Sequence, residues 1–184
     1  MGLSLESMAI VMPTVLGHPN RAGFRGVLTI VDVASDKSPS GARGHRVLLT
    51  RRAAEAAIPS LMGMGLDCSP ALDRHDAQRK IGVITRAEIV GRMIEVGGFL
   101  YARDFPEIVA EIGRPRRTST SVSAGADRNV RASRAGLGMS YEITDALVED
   151  IKASVWVLNR VTFTGAAVLR RDKAAYCSTW IELG

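Results

Sequence analysis

The stretch IGVITRAEIVGRMIEVGGFLYA (residues 81–102) contains two runs rich in β-branched and aliphatic residues, separated only by Gly91 and Arg92. Runs of this composition favour extended backbone, and a two-residue connection that contains glycine is typical of a tight turn. The stretch therefore predicts an antiparallel β-hairpin near the middle of the chain.

Further runs of this kind flank the hairpin. FRGVLTIVDV (24–33) precedes it, and LGMSYEIT (137–144), ASVWVLNRVTFTGAAVL (153–169) and AAYCSTWIEL (174–183) follow it. Each run is rich in the residues that pack well on a pleated surface, so each predicts a strand.

Two helices are expected between the strands. Thr50 precedes RRAAEAAIPSL (51–61) and is a suitable N-cap residue. Asp104 precedes FPEIVAEI (105–112), where Glu107 would complete a capping box. The pattern predicts one α+β domain over residues 1–184, built on a mainly antiparallel curved sheet or partial β-barrel with peripheral helices.

Composition excludes several classes of protein. The chain has 184 residues, of which 46% are hydrophobic, so it can bury a core, yet no apolar run is long enough to span a membrane. The first apolar run lacks a basic flank, which argues against a secretory signal. Two distant cysteines and three histidines predict neither a disulfide framework nor a zinc site. We expect a cytosolic protein without metal or cofactor.

Positive charge is concentrated in the segment 113–136, GRPRRTSTSVSAGADRNVRASRAG. It carries six arginines and one acidic residue, Asp127, and the difference of five equals the net charge of the whole chain. Its Ser, Gly and Ala content predicts a flexible loop. Such a loop could attract an acidic partner or substrate, or be a site of self-cleavage. Without aromatic residues to stack bases, it does not predict specific nucleic-acid binding.

Ser140 is a candidate nucleophile, because it is a hydroxyl on a short apolar strand. A serine becomes nucleophilic only when a base accepts its proton, and the base is usually histidine. His18 lies in a turn and is expected at the surface, and His45, just before a strand, could be either a surface residue or a catalytic base. His75 lies in a polar turn that leads directly into a strand. Ser140 and His75 are therefore the candidate pair that the residues themselves suggest.

The order of segments resembles that of the phage prohead (capsid maturation) proteases, which share a fold with the herpesvirus assemblins. A histidine turn enters a Gly-Val strand in DRHDAQRKIGVIT (73–85). IEVGGFLYA (94–102), the helix DFPEIVAEI (104–112), the Gly-x-Ser-x-Glu strand GMSYE (138–142) and FTGAAVLRRDKAAY (163–176) follow in the same order as in that family. The likeness covers roughly residues 24 to 180.

The resemblance implies a role for each of four residues. Ser140 would be the nucleophile and His75 its general base, and Arg170 or Arg171 would help to stabilise the oxyanion. The implied protein is a serine endopeptidase that cleaves capsid and scaffold precursor proteins during head maturation. It would act as a homo-oligomer inside a prohead assembled in the bacterial host cytoplasm.

The chain departs from the family at the third catalytic position. Gly165 aligns there, and glycine cannot orient an imidazole. Glu142, Asp76 or Asp172 could replace it, or a Ser–His dyad could act alone. The departure leaves open a catalytically inactive capsid-assembly or scaffold-associated protein with the same fold. An unrelated domain that binds an acidic partner through the arginine segment is a third hypothesis.

Overall fold

The computed structural model describes residues 6–114 and 136–184. Almost all of the arginine-rich segment that we predicted to be a flexible loop therefore lies outside the described residues. Within the described part, the chain forms nine β-strands, two α-helices and two short 3-10 turns. None of these helices is long or apolar enough to cross a lipid bilayer.

The strands and helices have the following bounds. The strands are β1 (Ser7–Ala9), β2 (Ala22–Ile30), β3 (Arg46–Leu49), β4 (Gly65–Asp67), β5 (Lys80–Val90), β6 (Met93–Leu100), β7 (Leu137–Val148), β8 (Val155–Arg170) and β9 (Trp180–Leu183). The helices are α1 (Arg51–Ala57) and α2 (Pro106–Ile112), and the 3-10 turns cover Ser40–Ala42 and Ile58–Leu61.

All nine strands belong to one strongly curled sheet that forms a half-barrel. The main order is β3-β8-β4-β5-β6-β2-β9, with β1 added to β5 and β7 added to β8. Our prediction of an α+β fold with a curved sheet is confirmed. The sheet is mixed, however, because β8 runs parallel to both β3 and β4 while its pairing with β7 is antiparallel. The alternation of residues within a strand does not encode the direction of a distant partner.

The hairpin and the first helix form as predicted. β5 and β6 pair antiparallel up to Val90 and Met93, and Gly91 adopts a positive φ of 60° in the turn between them. Thr50 caps α1, since its hydroxyl accepts a hydrogen bond from the backbone N–H of Ala53 at 3.2 Å. Local sequence is sufficient at both places because every group involved is close in the chain.

Two local predictions were wrong. Asp104 does not cap α2, because Phe105 occupies the N-cap position without a side-chain hydrogen bond. The Asp104 carboxylate instead accepts a hydrogen bond from the Asn20 side chain at 2.8 Å, and Glu107 pairs with Arg79 at 2.7 Å. The last predicted strand is also shorter, because residues 174–179 form turns and only Trp180–Leu183 pairs with β2.

The curl of the sheet brings β7 across β2 and the start of β9. The backbone N–H of Met139 donates to the Thr179 hydroxyl at 3.1 Å, which joins β7 to the turn before β9. Met139 also packs over Gly26 of β2, where a Cβ would lie only 2.7 Å from its sulfur and 2.4 Å from the Trp180 carbonyl oxygen. This close approach needs glycine at residue 26, and it fixes the start of β7.

We predict that Gly26→Ala lowers the free energy of unfolding by about 1–3 kcal/mol, because the added methyl meets backbone that cannot move freely. Gly23→Ala on the same strand is the matched control, since its Cβ would come no closer than 3.8 Å to another atom. Urea unfolding should give a change within about 0.5 kcal/mol for the control. Equal stability of the two variants would contradict the close approach of Trp180 of β9 and Met139 of β7 to Gly26.

Candidate active site

Ser140 lies on β7, where it pairs with Ala167 of β8. Its side chain is partly exposed, unlike the neighbouring Met139, which is buried in the core. Side chains two residues apart point to the same face of a strand, so Glu142 shares the face of Ser140. Strand β7 therefore presents a hydroxyl and a carboxylate side by side.

His75 lies in the loop between β4 and β5, which local hydrogen bonds hold in shape. The Ser69 hydroxyl donates to the Asp73 carboxylate at 2.7 Å and accepts from the Asp73 backbone N–H at 3.2 Å. The hydrogen bond from Ser69 lowers the pKa of Asp73. The backbone N–H of Arg170 donates to the Leu72 carbonyl at 2.7 Å, which ties the loop to the end of β8. The loop thus holds His75 close to the β7–β8 pair.

Two carboxylates face the same ring nitrogen of His75. Its Nδ1 lies 3.2 Å from Oε1 of Glu142 and 3.7 Å from Oδ1 of Asp67. The ring is 23% exposed, and Nδ1 has no aligned hydrogen-bond partner among the described residues, although Glu142 is within reach. Catalytic hydrogen bonds are often poorly aligned before substrate binds, and the 3.2 Å separation places Glu142 within hydrogen-bond reach of the ring.

Gly165 makes room for the Glu142 carboxylate. Glu142 pairs with Gly165 across the β7–β8 ladder, and a Cβ at residue 165 would lie 2.7 Å from Oε2 of Glu142. Any larger residue at this position would displace the carboxylate. The absence of a side chain at Gly165 therefore lets strand β7 place the Glu142 carboxylate beside His75.

Asp67 is the residue of the site that the sequence analysis missed. Its side chain is fully buried at the end of β4. Its Oδ2 lies 3.0 Å from the Lys80 ammonium, and its Oδ1 accepts from the Asp76 backbone N–H at 3.1 Å. The available signal was an acidic residue at the end of a short apolar run, MGMGLD, just before the histidine loop. A buried carboxylate needs partners, and here they are Asp76 of the histidine loop and Lys80 at the start of β5.

The other candidate acids face elsewhere. The Asp76 carboxylate accepts from the backbone N–H of Gln78 at 3.2 Å, so it supports its own loop. Asp172 is exposed, and its Oδ1 lies 3.8 Å from Nε of Arg170. Of the three acids that the sequence left open, the structure brings Glu142 next to His75.

His75, Ser140 and Glu142 line one cavity of about 880 Å³. Its other walls include the turn of Ser38–Ala42 and the side of β8. Lys173 also lines the cavity and is the basic residue that the turn after β8 contributes to it. The candidate pair from the sequence therefore shares one solvent-accessible space with the nearest acid.

Arg170 and Arg171 occupy different environments. Arg170 is exposed near Asp172, whereas Arg171 is buried, and its guanidinium donates to the Leu137 carbonyl at 3.4 Å. Among the described residues that line the cavity of Ser140, neither arginine appears. An oxyanion role for one of them stays a prediction.

The site can support two kinds of chemistry. A hydroxyl, an imidazole and a carboxylate are the parts of a nucleophilic triad. Asp67, His75 and Glu142 also offer three ligand atoms within 4.8 Å of one another, which could hold a metal ion. The Lys80 ammonium on Asp67 opposes that second use, because a cation already balances this carboxylate. Cys68 is no rival nucleophile, since burial raises the pKa of its thiol to about 11.

The remaining histidines serve other contacts. Nδ1 of His18 accepts from the Asn20 backbone N–H at 3.1 Å, and His45 stacks on Trp156.

Compared with known proteins, the chain matches no protein-family model and no curated protein. The argument for a function therefore rests on the residues of this cavity.

We predict that Asp67→Ala lowers the free energy of unfolding by about 1–3 kcal/mol, because it removes the buried carboxylate that accepts from the partly buried Asp76 N–H and pairs with the Lys80 ammonium. Amide hydrogen exchange at Asp76 should accelerate together with that of the rest of the histidine loop. Asp67→Asn, which keeps an oxygen acceptor, should lose less stability and keep most of the protection at Asp76. Unchanged exchange at Asp76 in Asp67→Ala would contradict this account of the loop.

Proposed function

We propose that this chain is a serine endopeptidase of the phage prohead type, with Ser140 as nucleophile and His75 as general base. The observation that carries the proposal is the position of Nδ1 of His75, 3.2 Å from the Glu142 carboxylate, in the cavity that Ser140 also lines. The order of the sequence motifs supports the family, and the paired acid and histidine support the chemistry.

In this mechanism the proton of the neutral imidazole resides on Nδ1, next to Glu142. Nε2 is then free to accept the proton of the Ser140 hydroxyl as its oxygen attacks a peptide carbonyl. The resulting imidazolium is stabilised by Glu142 and, from a slightly greater distance, by Asp67. It next donates its proton to the leaving amine, and water releases the acyl group by the same steps in reverse.

Glu142 is the proposed third member of the triad. It reaches the histidine from the strand of the nucleophile, over Gly165, in place of a residue at position 165 itself. Asp67, at the end of β4, lies near the same ring, and Lys80 balances its charge. Either Arg170 or Arg171 would have to turn toward Ser140 to donate to an oxyanion, whereas Lys173 already lines the cavity.

The proposed substrates are capsid and scaffold precursor proteins of a phage, cleaved inside a prohead assembled in the bacterial cytoplasm. The proposed active form is a homo-oligomer. A catalytically inactive assembly protein with the same fold is the alternative, and it differs in one respect that can be measured. Its Ser140 would not react as an activated nucleophile.

We predict that a fluorophosphonate probe labels wild-type protein at Ser140 and that Ser140→Ala and His75→Ala each abolish the labelling. Cleavage of the capsid precursor from the same genome should fall by about a thousandfold or more in either variant, because the two residues act as one unit. Mass spectrometry of the labelled peptide identifies the site. Full precursor cleavage by Ser140→Ala would exclude the serine mechanism.

Chelation separates the serine mechanism from the metal alternative. EDTA should leave labelling and cleavage unchanged if Ser140 and His75 act as proposed, and abolish cleavage if the three ligand atoms hold a catalytic metal ion. A folded protein with no labelling and no cleavage, with or without added Zn²⁺, would favour the inactive assembly protein.

We also predict that Glu142→Gln and Gly165→Ala each slow precursor cleavage by about a hundredfold, within the usual range for general acid–base contributions. The first removes the charge, and the second displaces the carboxylate, whose Oε2 lies where the new methyl would be. Adding Gly165→Ala to Glu142→Ala should cost little more than Glu142→Ala alone. A full additional loss in the double variant would mean that Gly165 acts through something other than Glu142.

A further inference from the structure

The cavity of Ser140 continues to an aromatic wall at the other end of the β7–β8 ladder. Ser140 pairs with Ala167 at one end, and Val148 pairs with Leu158 at the other. Trp156, two residues before Leu158 and on the same face of β8, lines the cavity there. The ring of His45 stacks on its indole, with the centroids 4.6 Å apart and the planes 16° from parallel.

The N–H donors of the two rings of this wall are already paired. The indole Nε1 donates to the Ile151 carbonyl at 3.1 Å. Nδ1 of His45 lies 2.8 Å from the Ala153 carbonyl, and because a carbonyl only accepts, this nitrogen carries the proton. Two carbonyls of the β7–β8 connection therefore fix both rings and use their donors.

The neighbouring walls are aliphatic. Four further residues line this end of the cavity: Ala42, Val47, Val148 and Leu158. Val47 pairs with Trp156 across β3 and β8, so the side chains of the two residues lie next to each other. A ligand group that enters here meets apolar side chains and the edge or face of an indole whose N–H is engaged. Such a surface favours an apolar group and penalises a polar one.

We propose that this end of the cavity is a subsite for a large apolar side chain of the peptide substrate and that Trp156 determines that specificity. The inference rests on the proposed endopeptidase function. The occupant is a segment of the same polypeptide that is cleaved at Ser140, because the subsite and the nucleophile share one cavity. Val148 lies eight positions after Ser140 on β7, so an extended peptide would reach the subsite about six to eight residues from its scissile bond.

Cleavage-site profiling tests the subsite. Wild-type protein is incubated with a library of bacterial peptides made by digestion with a glutamate-specific protease, and the new ends are sequenced by mass spectrometry. We expect Leu, Ile, Met or Phe to be enriched at one fixed position, about six to eight residues from the cut. The concentration of active sites in each variant is determined by titrating Ser140 with the fluorophosphonate probe.

Three variants assign the preference to the indole. Trp156→Ala should abolish the enrichment. For two synthetic peptides that differ only in having Leu or Ala at that position, the ratio of their kcat/KM values should fall at least tenfold in this variant. Trp156→Phe should retain most of the preference. Leu147→Ala is the matched control, because Leu147 is a 50% exposed apolar residue of β7 that is not among the described residues lining the cavity. The control should leave the preference intact.

The outcomes distinguish this inference from the proposed function. Two outcomes would overturn the subsite alone while Ser140 is still labelled. Either the wild-type protein shows no apolar preference at a distant position, or Trp156→Ala shows the same preference as the wild type. An unlabelled Ser140 would overturn the proposed function. In that case, peptides of the same library retained on immobilised wild-type protein but not on Trp156→Ala would still support an apolar site. Equal retention by both proteins, or self-association that Trp156→Ala removes, would overturn it.

Discussion

The long strand β8 is the constraint on which the rest of the structure depends. Over its length it pairs with β7 on one side and with β3 and β4 on the other, so it sets the relative position of these three strands. In its C-terminal half lies Gly165, and the absence of a side chain there leaves space for the Glu142 carboxylate. A bulky residue at position 165 would displace the Glu142 carboxylate from its place beside His75.

The electrostatics of the site follow from this arrangement. Two carboxylates lie within 4 Å of one imidazole nitrogen, and one of them is fully buried. Like charges so close would repel each other, and removing a charge from water is costly. The Lys80 ammonium at Asp67 and the backbone N–H of Asp76 offset both effects. Lys80 therefore balances the charge of Asp67 behind the ring, while Glu142 lies on the open side of the cavity.

Local sequence was a good guide where the interacting groups are close along the chain. The hairpin of β5 and β6 and the cap of α1 by Thr50 were both predictable for this reason. The cap expected from Asp104 failed because Asn20, far away in sequence, takes its carboxylate. Where a side chain can bind either a local or a distant partner, the tertiary structure decides which partner it binds. The local sequence is the same in both cases and cannot distinguish them.

By itself, the sequence predicted six of the nine described strands (β2 and β5 to β9) through their composition, and the common face of Ser140 and Glu142 through the two-residue period of a strand. It also presented His75 as the histidine of a polar turn before a strand. Only the tertiary structure decided that Glu142, rather than Asp76 or Asp172, lies beside that histidine, and that Asp67 belongs to the same site. The physical reason is that these contacts depend on the curl of the sheet and the register of β7 on β8. Both arise from packing between distant segments, which no local periodicity records.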